Sequence, residues 1–168
     1  MAAKEGLVDA QYKLGIMFFN GDVVPQDKEK AVKWIRRAAE QGHARAQFNL
    51  GNKYYSGEGV PQDKREAIKW YRMAAEQGNA SAQFLLGSKY YSGEDVINNK
   101  REAVRWFRMA AEQGDVDAQY NLGVMLFKGE GIPQDKKEAA KWVRMAAVQG
   151  HTRAQIVLAN KLRRYSKT

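Results

Sequence analysis

Residues 43–78 read HARAQFNLGNKYYSGEGVPQDKREAIKWYRMAAEQG, and residues 79–114 read NASAQFLLGSKYYSGEDVINNKREAVRWFRMAAEQG. Laid over each other, the two stretches agree at most positions, and the register continues in both directions. Trp34, Trp70, Trp106 and Trp142 are each 36 residues apart. The pair Ala-Gln returns at 10–11, 46–47, 82–83, 118–119 and 154–155, and Leu14, Leu50, Leu86, Leu122 and Leu158 keep step. So do Gly6, Gly42, Gly78, Gly114 and Gly150, and a second set at Gly21, Gly57, Gly93 and Gly129. A period of this length outranks local propensity, because one such unit cannot bury its apolar face alone whereas stacked copies can.

Each unit reads as two helices, A and B. Helix A of the second unit spans roughly Ala44 to Ser56, with Ala46, Leu50 and Tyr54 on one stripe. Gly57, Gly59 and Pro61 break it. Helix B starts after Asp63, an N-cap with Glu66 placed to complete a capping box, and Asn99 with Glu102 and Asp135 with Glu138 repeat that signal. Asp27 keeps the cap, although Lys30 loses the glutamate. Gly78 is suited to the left-handed turn at the exit of B. Glycine inside a helix costs about 1 kcal/mol relative to alanine, so its return at Gly15, Gly51, Gly87 and Gly123 predicts a close approach of helices. The fold expected is an all-α, right-handed α-solenoid of about four helix pairs with a closing helix, the tryptophans forming a packed ladder. Boundaries follow: a partial helix over 1–6, repeats at about 7–42, 43–78, 79–114 and 115–150, and a C-terminal helix over 151–168, together one domain over 1–168.

The unit resembles the Sel1-like repeat, a relative of the tetratricopeptide repeat. The pieces that carry the resemblance are Ala46-Gln47-Phe48-Asn49-Leu50-Gly51, Tyr54-Tyr55-Ser56-Gly57-Glu58-Gly59-Val60, Asp63, Lys69-Trp70-Tyr71 and Ala74-Ala75-Glu76-Gln77-Gly78. The resemblance implies a superhelix that serves as an adaptor or scaffold; the family is similar to quality-control subunits, bacterial regulators and immunity proteins that neutralise secreted toxins. Secreted, cysteine-rich members with a disulfide in each repeat are linked to β-lactam binding or hydrolysis, and this chain departs from them in having no cysteine. The third unit departs too, with Asp95 for the loop glycine and Ile97 for the proline, so its A–B turn is expected to differ.

The ends carry expectations of their own. Residues 1–6 align with Met73 to Gly78, so the chain opens on the last turn of a B helix and trimming of a longer array is expected. At the other end Ala159 replaces the close-approach glycine and Arg163 the aromatic, and Arg163, Arg164 and Lys167 are expected to keep the last helix soluble, as at a natural end.

Composition narrows the class. With 44% apolar and 28% charged residues the chain is an ordinary folded protein, and 28 basic against 19 acidic residues give a charge of +9, favouring acidic partners. No apolar run reaches the length of a membrane span. The N-terminus lacks the apolar core of a signal peptide, so the compartment stays open: cytoplasmic, or periplasmic or secreted where a leader has been removed. A monomer is expected.

Catalytic and metal chemistry find no candidates. His43 and His151 share one register three units apart, too far to share a metal, and read as loop residues leading into helix A. No serine or threonine has a histidine placed as its base. Gly57-Glu58-Gly59 and Gly129-Glu130-Gly131 lack the strand and the lysine-serine of a phosphate loop. No catalytic residue, metal ligand or cofactor is assigned.

Two surfaces remain. One face of the A helices changes from unit to unit while its neighbours stay fixed: Asp9, Lys13, Ile16, Met17, Asn20; Arg45, Asn49, Asn52, Lys53, Ser56; Ser81, Leu85, Ser88, Lys89, Ser92; and Asp117, Asn121, Val124, Met125, Lys128. Residues that serve one partner are free to differ, so this face is the candidate concave protein- or peptide-binding groove, with Leu85, Val124 and Met125 as exposed apolar points. The second surface is a basic ridge on the B helices: Lys33-Arg36, Arg65-Lys69-Arg72, Arg101-Arg105-Arg108 and Lys137-Lys141-Arg144. It suits an acidic partner, but no aromatics interleave for stacking bases, which weakens a nucleic-acid reading. The leading expectation is a non-enzymatic protein-binding module, with toxin immunity, nucleic-acid association and β-lactam handling as alternatives.

Overall fold

A computed structural model of the chain describes residues 2–165, with side chains over 6–160. Among the described residues the architecture is all-α: α1 (Ala2–Asn20), α2 (Lys28–Glu40), α3 (Ala44–Ser56), α4 (Lys64–Glu76), α5 (Ala80–Ser92), α6 (Lys100–Glu112), α7 (Val116–Lys128), α8 (Lys136–Val148) and α9 (Thr152–Tyr165). Odd-numbered helices are the A helices and α2, α4, α6 and α8 the B helices. Two compact units divide the chain, residues 1–82 and 83–168, with the boundary inside α5.

The expected caps are in place. Asp27, Asp63, Asn99 and Asp135 each accept the backbone N–H three residues on, at 2.8, 2.9, 3.2 and 2.8 Å. The reciprocal half of the capping box is not made. Each cap's own N–H instead donates to a carbonyl of the preceding A helix, on Phe18, Tyr54, Tyr90 and Leu126. That backbone bond closes the A–B turn and releases the glutamates: Glu66 pairs with Lys69, Glu102 with Arg105, and Glu138 with Arg108.

Helix pairing rests on the predicted glycines. A Cβ at Gly51 would stand 2.6 Å from the Tyr71 ring, and at Gly87 2.7 Å from that of Phe107. Gly15 and Gly123 meet Ile35 and Val143 in the same way. Around these contacts the first unit buries Ala46, Leu50, Ala67, Ala74 and Ala75 completely, and the second does the same with Leu86, Ala103, Ala110, Leu122 and Ala146. Burying a leucine of this kind contributes about 2 kcal/mol. Trp70, Trp106 and Trp142 are buried as expected, whereas Trp34 is half-buried with Arg37 over its ring at 4.5 Å.

Two expectations are corrected. The third unit keeps its turn: Asp95 takes φ 64°, close to the 74° of Gly59 and Gly131, a left-handed conformation that aspartate tolerates better than most residues. The partial helix over 1–6 does not exist as a separate piece, since α1 runs unbroken through Gly6. The reason is the next position. His43 and Asp115 accept backbone N–H groups there as N-caps, and Leu7 has no acceptor to stop one helix and start another. The side chains of Arg163, Arg164 and Lys167 lie outside the described residues.

Gly51→Ala is expected to force the Tyr71 ring aside and cost about 1–3 kcal/mol, read as a lower urea midpoint. Gly78→Ala, where no atom stands within 4 Å but φ is 87°, should strain only the local backbone and cost less, about 1 kcal/mol.

Candidate functional site

The outward face of the A helices is built on an invariant inner face. Gln47, Gln83 and Gln119 are each 1% exposed. Gln47 and Gln119 donate to the carbonyls of Ala39 and Ala111 near the ends of the preceding B helices, at 3.1 and 3.2 Å. Their amide oxygens accept from Gln77 and Gln149 at 2.6 and 2.8 Å. At Gln47 and Gln119 the repeated Ala-Gln pair thus satisfies helix-end carbonyls and fixes the rotation of α3 and α7. With rotation fixed, the registers of the opposite face have defined exposures.

Those exposures divide the predicted groove residues. Lys13, Arg45, Ser81 and Lys128 are exposed, as are Asn20, Ser56, Ser92 and Asp117. Asn49, Asn52, Leu85, Ser88, Asn121, Val124 and Met17 are half-buried. Several of these already have structural work: Asn49 donates to the Tyr12 hydroxyl, and Asn52 accepts from the Tyr71 hydroxyl at 2.9 Å. Met125 and Lys89 are corrections to the groove. Met125 is 1% exposed and belongs to the core cluster with Leu122 and Leu126. Lys89 is buried and paired with Asp95 at 2.8 Å and Glu94 at 3.2 Å. Lys53, in the same register, pairs with Glu58 at 3.0 Å and lies 3.2 Å above the Phe19 ring. Lys53 thus packs toward its loop and the preceding A helix, Lys89 toward its loop, and Met125 into the core.

The B-helix ridge is largely engaged within the chain. Lys69 pairs with Glu66 at 2.8 Å, Arg105 with Glu102 at 3.5 Å and Arg108 with Glu138 at 2.6 Å. Arg36 donates to the Tyr54 hydroxyl, and Lys141 lies 5.8 Å from the Trp142 ring centre. Arg72 also has a partner. Arg65, Arg101, Lys137 and Arg144 stand exposed. Arg108 holds the Glu138 carboxyl below its ordinary value of 4.5, helped by the Trp142 indole N–H.

Sequence reasoning missed one arrangement, present twice. His43 stacks on Tyr12 with centroids 4.8 Å apart, caps α3 through Nδ1 at 3.0 Å from the Ala46 nitrogen, and faces Asp9 with Nε2 at 3.6 Å. His151 repeats it with Tyr120 at 4.4 Å, Ala154 at 3.1 Å and Asp117 at 3.2 Å. The signal was in the sequence. Tyrosine occupies the Tyr12/Phe48/Phe84/Tyr120 register only where the following cap is histidine, and aspartate occupies the Asp9/Arg45/Ser81/Asp117 register only there too. Nδ1 accepts from the backbone while Nε2 is turned toward the carboxylate. The arrangement is a cap with an aromatic lid, and among the described residues no group of acidic and histidine side chains is set to hold a metal.

Comparison with known proteins follows the repeat. The family described as Sel1 repeat matches residues 8–43, 44–79, 80–115 and 116–151. An SLR-fold protective antigen present in uropathogenic Escherichia coli strains is 42% identical over 95% of this chain and 34% of its own, with a TM-score of 0.84. A Sel1 repeat protein from Oxalobacter formigenes is 39% identical over 91% of this chain and 63% of its own, with a TM-score of 0.85. The chain thus spans about a third and just under two thirds of these two proteins. Cysteine rich protein B of Helicobacter pylori shares the fold, at 23% identity over 82% of this chain and 98% of its own, with a TM-score of 0.60. No curated protein sequence matches.

Two outcomes follow from the geometry. His43→Ala should cost about 1 kcal/mol through the lost cap, whereas His43→Asp, the residue found at Asp115, should retain it; thermal melting distinguishes them. The lowered pKa of Glu138 means that its stabilisation is complete above the ordinary value of 4.5 and is lost as pH falls through the folded value. The melting temperature should therefore drop on acidification below that value, and Arg108→Ala should flatten the slope.

Proposed function

As a member of the Sel1-repeat family, whose repeats generally serve protein interactions, this chain is one for which we propose a non-enzymatic adaptor role, binding a protein or peptide on the outward face of its A helices. The observation that carries the proposal is the contrast between the two faces of these helices. Inward positions hardly vary: Ala46, Ala82 and Ala118, and Leu50, Leu86 and Leu122, are all 0% exposed. Outward positions change at every step, through Asp9, Arg45, Ser81 and Asp117 in one register and Lys13, Asn49, Leu85 and Asn121 in another. Asp9 and Asp117 follow the histidine caps and Asn49 bonds Tyr12, but Arg45, Ser81 and Leu85 vary apart from these contacts, as a face that meets a single asymmetric partner is free to do.

Chemistry refines the partner. Lys13, Arg45 and Lys128 are exposed cations on this face, and the chain carries +9 overall, so a partner with acidic residues is favoured and approaches faster at low salt. Leu85 and Val124, half-buried on α5 and α7, add apolar contact.

The test is affinity capture from the source organism, identification of the retained protein, and titration of that purified protein against wild type and an Arg45→Glu, Leu85→Ala, Lys128→Glu variant. Circular dichroism checks that the variant remains helical. At least tenfold weaker binding by the variant is expected, with the wild-type affinity falling as salt rises. Undiminished binding by a helical variant would remove the A-helix face as the site.

A further inference from the structure

The outward stripe of a B helix falls on the same five registers in every repeat, close together on the helical wheel. On α4 these registers hold Arg65, Lys69, Arg72, Met73 and Glu76, and on α6 Arg101, Arg105, Arg108, Met109 and Glu112. On α8 they hold Lys137, Lys141, Arg144, Met145 and Val148, so valine stands where the other two have the stripe's one carboxylate. Glu40, Glu76 and Glu112 are all exposed in that register, and Val148 is 82% exposed. Exposure therefore belongs to the register within the array, and this valine buries little against its own chain.

A second change makes the stripe more positive. On α4 and α6 the first-turn glutamates, Glu66 and Glu102, pair with Lys69 at 2.8 Å and Arg105 at 3.5 Å. On α8 the equivalent Glu138 is drawn instead to Arg108 at 2.6 Å and to the Trp142 indole at 3.1 Å. Lys141 is left exposed, 5.8 Å from the Trp142 ring centre and without an ion pair among the described residues. What remains is an arc of about 100° with three exposed cations, Met145 at 38% exposure, Val148, and no acid.

We propose that this stripe of α8 rests on the surface of an anionic phospholipid bilayer. Met145 and Val148 enter the headgroup layer, and Lys137, Lys141 and Arg144 meet lipid phosphates. The proposal is independent of the protein-binding reading, since it uses a different surface. Charge complementarity and the apolar pair together choose the occupant. A nucleic acid matches the cations, but Val148 has nothing to offer a phosphodiester chain and no aromatic ring stands on the stripe for bases. An acidic protein needs a shaped patch of about 800 Å² around a buried anchor, which a single exposed helix column does not present. A bilayer asks for no shape: cationic side chains reach its phosphates while aliphatic ones bury beside them. Each cation adds a small increment that salt screens, so the attachment is weak and reversible.

Flotation of the purified full chain with vesicles tests this. Wild type should float with vesicles of equal parts phosphatidylcholine and phosphatidylglycerol, less so as salt rises, and should not float with phosphatidylcholine alone. Val148→Glu, which restores the residue of α4 and α6, should reduce the bound fraction at least about threefold. Val148→Gln, which removes the apolar contact without adding charge, should reduce it as well, and Val148→Leu should raise it. Circular dichroism should show every variant as helical as wild type, because the position is exposed. No flotation with the anionic vesicles, or flotation undiminished in a helical Val148→Glu chain, would overturn the proposal. So would a Val148→Gln chain that floats like wild type while wild type binds a single-stranded oligonucleotide equally well, since the stripe would then be a general polyanion surface.

Discussion

The structure depends on the distance between the two helices of each repeat. At Gly51 and Gly87 the backbone of helix A comes so near helix B that the ring of Tyr71 or Phe107 occupies the place of a side chain. Glycine is a poor helix former, and each one costs about 1 kcal/mol in the helix that carries it. What offsets this is burial. With the backbones close, small residues such as Ala67, Ala74 and Ala75 are buried completely. A larger residue at the glycine would separate the pair and open the seam on which the neighbouring repeat packs.

Close approach creates a second requirement, because short turns between tightly packed helices leave backbone groups stranded. The chain answers with the same few residues each time. The N–H of each B cap bonds back to an A-helix carbonyl, the cap side chain takes the N–H three residues on, and the buried glutamine takes a carbonyl at the end of the preceding B helix. These bonds are directional where apolar packing is not, so they fix rotation and register. A fixed rotation is what turns one side of helix A into a defined surface whose residues are free to vary.

The period made the fold legible. Tryptophan spacing, caps and glycines located the helices, since each of those signals has a local cause. The inner face of the site was legible for the same reason, and its outer boundary was not. Helical spacing grouped Lys53, Lys89 and Met125 with Lys13 and Arg45, but a wheel drawn on one helix has no knowledge of what stands beside it. The preceding A helix and the following loop close that edge, so Lys53 settles over Phe19 and Met125 joins the core. The capping glutamates were misread in a similar way. Their partner was to be a cap N–H, but the neighbouring helix had already taken it, leaving Glu138 free for Arg108. The histidine caps, by contrast, were visible in principle, because tyrosine and aspartate change in concert with them inside this one sequence.

A repeat array therefore carries information in its departures from period. Positions obliged by packing repeat, and a residue that breaks the pattern does so either because a neighbour compensates or because the position is released. Asp95 is of the first kind: it replaces a glycine, keeps the left-handed backbone, and supplies a carboxylate to the buried Lys89. Glu94 also reaches the ammonium at 3.2 Å, as Glu58 reaches Lys53 where glycine keeps the turn, so Asp95 adds a second carboxylate that offsets the desolvation of Lys89. Ala140 and Val143 are of the second kind. Both give up volume on α8, beside a cavity of about 830 Å³ that Val143 and Arg144 help to line. Compensated departures are structural, whereas uncompensated ones mark where the array has room for something else.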